Sequence, residues 1–239
     1  MFSKVLIRVS KLLGLNYFFN FIKRYSGVLY SILLIGINLI PIYGVFYLDW
    51  NVYDIIFLYW IENIVIGIFN VVMMACAQRE ARYSIERPAL KYSSYNFYGV
   101  KEKDLTKFFI GLYTVFLIVH GVFLITVFGK LPSIIIKKDF NGLITYLVSL
   151  LSVYLFSLIF DYFGKKQNTV TSKASLMWKP FLRVLVIHMV ILLGYGFVGN
   201  RKLISIFIVV KIIADLILYW KNLPSRNLQE ITINDKEII

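Results

Sequence analysis

Apolar residues in this chain come in long blocks, and polar and basic residues gather between them. Six blocks stand out, at 27–48, 53–76, 107–129, 142–163, 182–199 and 203–220. Each approaches the ~20 consecutive apolar residues that a helix needs to cross the hydrocarbon core of a bilayer. The short alternating strands of a membrane β-barrel are not seen. The pattern predicts an all-α fold, a polytopic membrane helix bundle over 27–220 with a polar cytoplasmic tail at 221–239. The connections after the first and fifth spans are short, so those pairs are expected to form antiparallel hairpins. In the preceding segment, 1–26, Lys4, Arg8 and Lys11 recur at helical spacing opposite Val5, Leu6, Val9, Leu12 and Leu13. This predicts an amphipathic N-terminal helix lying in the membrane interface. Asn16 and Asn20 interrupt its apolar side and no small-residue cleavage pattern follows. A cleaved signal peptide is therefore not expected.

Composition agrees with this class. Hydrophobic residues make up 59% of the chain, where a soluble domain holds about 45–50%. The net charge of +13 raises the question of a nucleic-acid partner. Its distribution answers otherwise. When six helices cross, the N-terminal segment, the loops 77–106 and 164–181 and the tail share one side, together with Arg183 at the start of the fifth span. They hold about 20 Lys and Arg, against five (Lys130, Lys137, Lys138, Arg201 and Lys202) on the other. By the positive-inside rule the protein is expected in the cell membrane as a multi-pass chain with both termini cytoplasmic. Its basic loops are expected to contact anionic lipid headgroups, and no basic domain stands apart to bind nucleic acid. The single cysteine, Cys76, excludes an intramolecular disulfide within this sequence. The long loop 77–106 carries a tyrosine-rich run, 92-YSSYNFY-98, whose rings are expected to dip into headgroups.

The candidate chemistry lies in the few polar groups inside the spans. Ionisable side chains at a helix centre cost ~2.5–3.5 kcal/mol each on insertion scales, so they face the bundle interior and pair. Here they are Glu62, His120, His188, Lys211 and Asp215. At a rise of ~1.5 Å per residue, all five fall in one slab roughly 12–18 Å from the outer edge. That common depth predicts a midplane polar cluster. Lys211 and Asp215 are four apart on one helix face and can pair with each other. Glu62 has no opposite charge on its own helix, so its partner is expected from another span, with His120 and Lys211 at matching depth. Asn63, Gly67 and Asn70 form one stripe of small and amide residues, the kind of face that close helix packing uses. Asp161, at the inner end of the fourth span, is expected at the interface.

The elements 38-NLIPIYGVFYLDW-50 and 58-LYWIENIVIGIFNVV-72, with 120-HGVF-123, 183-RVLVIHMVILLGYGF-197 and 211-KIIADLILYW-220, resemble an uncharacterised family of prokaryotic polytopic membrane proteins, known only as a domain of unknown function. The resemblance covers most of the membrane region and implies Glu62, Asn63, Asn70, His120, His188 and Asp215 as the family's polar positions. It also implies further histidines that this chain lacks. Their places read Leu112 with Tyr113, the run 153-VYLFSLIFDY-162, and Tyr219.

Three functions fit these residues. The one that needs least is a structural or interaction protein whose polar groups specify helix packing. An intramembrane metal-dependent hydrolase would use Glu62, His120, His188 and Asp215 as nitrogen and oxygen ligands and a metal-activated water. Against it, no HExxH pair is present and Lys211 competes for Asp215. A proton-coupled transporter would use the same groups as a relay, with Pro41, Gly194 and Gly196 as points where spans could break. No cofactor is predicted, a divalent metal entering only with the hydrolase alternative. The oligomeric state is not legible.

Overall fold

The computed structural model describes residues 15–78, 96–97, 100–128, 132–136, 140–194 and 201–221. Helix α1 (Leu15–Tyr47) turns directly into α2 (Val52–Cys76). A two-residue antiparallel pairing of β1 (Asn96–Phe97) with β2 (Val100–Lys101) leads into α3 (Leu105–Phe128). The short α4 (Ser133–Ile136) precedes α5 (Phe140–Phe156), which continues as a π-helical segment, Ser157–Phe163. The short α6 (Gln167–Val170) then leads to α7 (Lys173–Gly194) and α8 (Arg201–Lys221).

Five stretches among the described residues are long and apolar enough to cross a membrane: Asn20–Tyr47, Val52–Cys76, Leu105–Phe128, Asn141–Phe163 and Lys202–Trp220. They coincide with five of the apolar blocks. The block at 182–199 falls on α7, which begins at Lys173 and is described as far as Gly194. Lys173, Lys179 and Pro180 hide this earlier start in the sequence. The helix nevertheless carries Pro180 internally, as membrane helices do when neighbours re-satisfy the freed carbonyl. Helix α1 is continuous from Leu15 through residues 26 and 27. Residues 1–14, all but four positions of the loop 79–101, and the tail beyond Lys221 lie outside the described residues.

The α1–α2 turn is fixed by a few contacts. The Trp50 and Leu48 amides both donate to the Gly44 carbonyl, each at 3.0 Å. The Trp50 ring lies where a Gly44 Cβ would project, only 2.0 Å from it. Asp49 takes the left-handed conformation with φ 53°, which Asp tolerates better than most residues. Asn51 then caps α2 in a reciprocal capping box with Asp54, satisfying orphan amides of the first turn. The other Asp54 oxygen accepts the Ile134 amide at 2.9 Å. One buried carboxylate thus starts α2 and anchors the link between α3 and α5.

Helix α2 is the axis of the bundle. In its membrane-length window 56% of residues are buried, against 22–39% in the other four. It packs on α3, α5 and α7, while α1 packs on α8 and α5. A helix apolar all round with little amphipathic bias belongs in such a central place. Outward, α3 exposes Val115, Ile118, Val119, Val122 and Ile125, a stripe at helical spacing. Inward lie Asn38, Asp54, Glu62, Asn63, Asn70, Asp161, Lys211 and Asp215. This is the reverse of a soluble protein's distribution, and it suits an apolar surrounding.

The α2–α3 contact is reciprocal. Gly67 of α2 leaves room for the Tyr113 ring, whose Cε1 would sit 2.4 Å from an added Cβ. Seven residues earlier, Trp60 covers Gly121 of α3, at 2.9 Å from an added Cβ, and its indole donates to the Leu117 carbonyl at 3.0 Å. Each helix thus offers one glycine to the other's aromatic ring. Gly67→Ala is expected to destabilise the purified protein by about 1–3 kcal/mol through overpacking. Gly36→Ala, where nothing lies within 4 Å, should stay within about 0.5 kcal/mol of the parent. Unfolding in mixed detergent measures both, and equal stability of the two variants would refute the interlock.

Candidate functional site

Lys211 carries three ammonium protons into the bundle centre with only 3% of its side chain exposed. Three oxygens meet them: Glu62 Oε2 at 2.6 Å, Asp215 Oδ2 at 2.8 Å and Asn38 Oδ1 at 3.1 Å. These come from α2, α8 and α1, and the set matches the donor inventory of an ammonium. The Tyr59 ring covers the ammonium at 4.6 Å, a cation–π contact. Asn38 is oriented by its own amide, which donates to the Leu34 carbonyl at 2.8 Å.

Glu62 needs more than one donor, and α5 supplies two. Tyr146 and Tyr154 stand two turns apart on its buried side. Tyr154 donates to Glu62 Oε1 at 3.2 Å, and Tyr146 reaches Oε2 at 3.4 Å. The Tyr154 oxygen in turn accepts from Arg183 Nη1 of α7 at 2.5 Å. Arg183 Nε lies 4.0 Å from Asp215 Oδ1, which closes the circuit. Two carboxylates and two cations, drawn from α2, α7 and α8, balance to zero when all are ionised. The low dielectric that makes a lone charge costly strengthens such a satisfied network.

Of the predicted midplane residues, Glu62, Lys211 and Asp215 come together. The Lys211–Asp215 pairing on one helix is present, but the ammonium is shared with Glu62 rather than reserved for Asp215. His120 does not join them. Its Nδ1 sits 2.7 Å from the Phe116 carbonyl of its own helix, and its ring packs on Phe116 at 4.1 Å between centroids. The partners of Glu62 are Lys211, Tyr146 and Tyr154 instead. The His188 backbone lies in α7, but its side chain falls outside the described residues. Among the described residues, no three His, Cys, Asp or Glu side chains are grouped so as to hold a metal ion.

One expectation is corrected: Arg183 does not belong with the basic loops. Because α7 begins at Lys173, Arg183 lies nearly three turns inside that helix and enters the network. Asp161, at the inner end of the fourth span, is buried against its neighbours, only 4% exposed. It accepts from Ser26 Oγ at 2.6 Å, Lys165 Nζ at 2.6 Å and Tyr219 OH at 2.7 Å, binding α1 and α8 to the π-helical segment. The amide stripe divides. The Asn63 carbonyl accepts the Tyr113 hydroxyl at 3.0 Å and Gly67 underlies that ring, so both face α3. Asn70 instead borders a cavity.

That cavity, of about 130 Å³, lies between the two polar groups. Its wall runs from Tyr154 and Arg183 to Asp161 and Tyr219.

A family model described as a family of unknown function (DUF6498) matches residues 23–231. The chain belongs to this family. No curated protein and no solved structure matches it. The matched segment contains every residue of the central network.

The DUF6498 network also contains residues that sequence patterns passed over. Asn38, Tyr146 and Tyr154 carry no formal charge, and a search for ionisable groups overlooks them. A weak signal existed in the spacing of Tyr146, Leu150, Val153 and Tyr154, one buried face of α5.

The two tyrosines are predicted to differ in weight. Tyr154→Phe removes a hydroxyl bonded to both a guanidinium and a carboxylate, and should cost about 1.5–3 kcal/mol. Tyr146→Phe removes a single long contact and should cost about 1 kcal/mol or less. Detergent unfolding of each variant decides the order, and a costlier Tyr146→Phe contradicts the geometry.

Proposed function

We propose that this chain is an integral membrane protein of the structural or interaction type, in which the Glu62–Lys211–Asp215 network specifies how the helices pack. On this reading it is a multi-pass protein of the cell membrane with both termini cytoplasmic, which its five membrane-length helices and the charge bias of its loops support. The bilayer is its surroundings, and anionic headgroups are the partners of its basic loops. The observation that carries the reading is the Lys211 ammonium, whose contacts with Glu62, Asp215 and Asn38 tie three helices at one point. The same ammonium stands where a cation shared by Glu62 and Asp215 would have to stand, which favours this reading over the hydrolase. The bond of Glu62 to a lysine that is itself triply held favours it over a proton relay, which needs an acceptor able to exchange its partner.

Removing one member of a buried ion pair leaves an uncompensated charge and costs about 3–5 kcal/mol. Lys211→Met is accordingly expected to lower stability by that amount in detergent. Replacing the pair together (Glu62→Gln, Lys211→Met) should recover most of the loss, because Asp215 and Arg183 then remain as a balanced pair. A Lys211→Met protein that unfolds at the same detergent concentration as the parent would sink the packing role.

A further inference from the structure

The cavity below the network has polar groups with nothing to bind. Lys179 lines it, half-buried, and among the described residues its ammonium has no hydrogen bond or ion pair. The wall's one carboxylate, Asp161, is already engaged by Lys165 at 2.6 Å. Arg183, on the same face of α7 one turn on, keeps its carboxylate only at 4.0 Å. The side chains of Gln167 and Ser157 also line the space and make no hydrogen bond among the described residues. The Asn70 amide reaches only the Met74 sulfur, at 3.5 Å. The wall also holds the apolar side chains of Ile66, Phe69, Met73 and Leu218.

A half-buried ammonium without a partner gains from one, and a wall holding two cations with neutral donors around them matches an oxyanion. The apolar side chains match a hydrocarbon group attached to it. A volume of about 130 Å³ is close to that of cavities that hold one benzene-sized molecule. It fits a phosphate and its first few carbons, but not a whole lipid. We propose that this cavity binds the phosphate group of a phosphate monoester carried on an apolar chain, with Lys179 and Arg183 as its cationic contacts. Such a group is supplied by a soluble alkyl phosphate or by the headgroup of a phosphatidic acid.

The test is calorimetric titration of the full chain in a neutral detergent with inorganic phosphate, hexyl phosphate and dihexanoyl phosphatidic acid. Saturable binding of hexyl phosphate is expected. It should weaken about tenfold or more in Lys179→Met, the loss of one charge-assisted contact. Lys179→Arg keeps the charge and should keep binding, which separates lost recognition from lost folding. Tighter binding of dihexanoyl phosphatidic acid assigns a lipid source, and preference for hexyl phosphate assigns a soluble one. No saturable binding of any of the three by the parent protein, or unchanged affinity in Lys179→Met, overturns the proposal.

Discussion

The interior of this protein depends on one ammonium group. A lysine midway along the largely apolar α8 needs acceptors at its own depth, because the apolar side chains around it cannot solvate it. Asp215, one turn away, supplies only one. The others must come from α1 and α2, so Asn38 and Glu62 are drawn to the same point. Glu62 then has oxygen lone pairs to satisfy, which brings Tyr146 and Tyr154 of α5 inward. Tyr154 in turn recruits Arg183, and Arg183 closes on Asp215. Five helices are thus placed by a sequence of electrostatic needs, each created by the group before it. Apolar contacts fill the space around the circuit, but between apolar helices in an apolar medium they discriminate weakly among alternative packings.

A second polar group stands at the end of the bundle where α5 widens into its π-helical segment. Such a segment shifts the helical phase, and π-turns recur at functional sites. Here it directs Ser157 and Asp161 toward α1, α7 and α8. Asp161 is consumed in binding α1 to α8, while Ser157 is left facing open space. The central circuit is neutral. The region between it and Asp161 is not, since Lys179 adds a positive charge with no matching partner among the described residues. The contrast separates what holds the molecule together from what is available to a ligand.

Much of this architecture is legible in the chain. Blocks of apolar residues mark each long helix, though α1 and α7 begin well before their blocks, at Leu15 and Lys173. The common depth of Glu62, Lys211 and Asp215 points to their meeting, since an ionisable group at that depth has to pair. Three features escape. Arg183 reads as a loop cation because Lys179 and Pro180 disguise the start of α7. Asn38, Tyr146 and Tyr154 are neutral, and only the geometry of neighbouring helices decides which hydroxyl or amide faces a charge. His120 shares the depth of the circuit but lies on α3, the far side of α2, and depth along a helix says nothing of azimuth. The metal-binding alternative drew on that ambiguity, for it required four side chains on four helices to point at one place.

The two glycine–aromatic couples between α2 and α3 carry a mechanical consequence. Tyr113 seats over Gly67 and Trp60 over Gly121, so the helices are keyed at two points about seven residues apart on each. Sliding one past the other by a helical turn, ~5.4 Å, would lift both rings out of their recesses and onto larger side chains. Rotation about either axis would do the same at one of them. These two helices therefore travel as a single rigid body. Any rearrangement of the bundle is then easier across its other contacts than between these two helices.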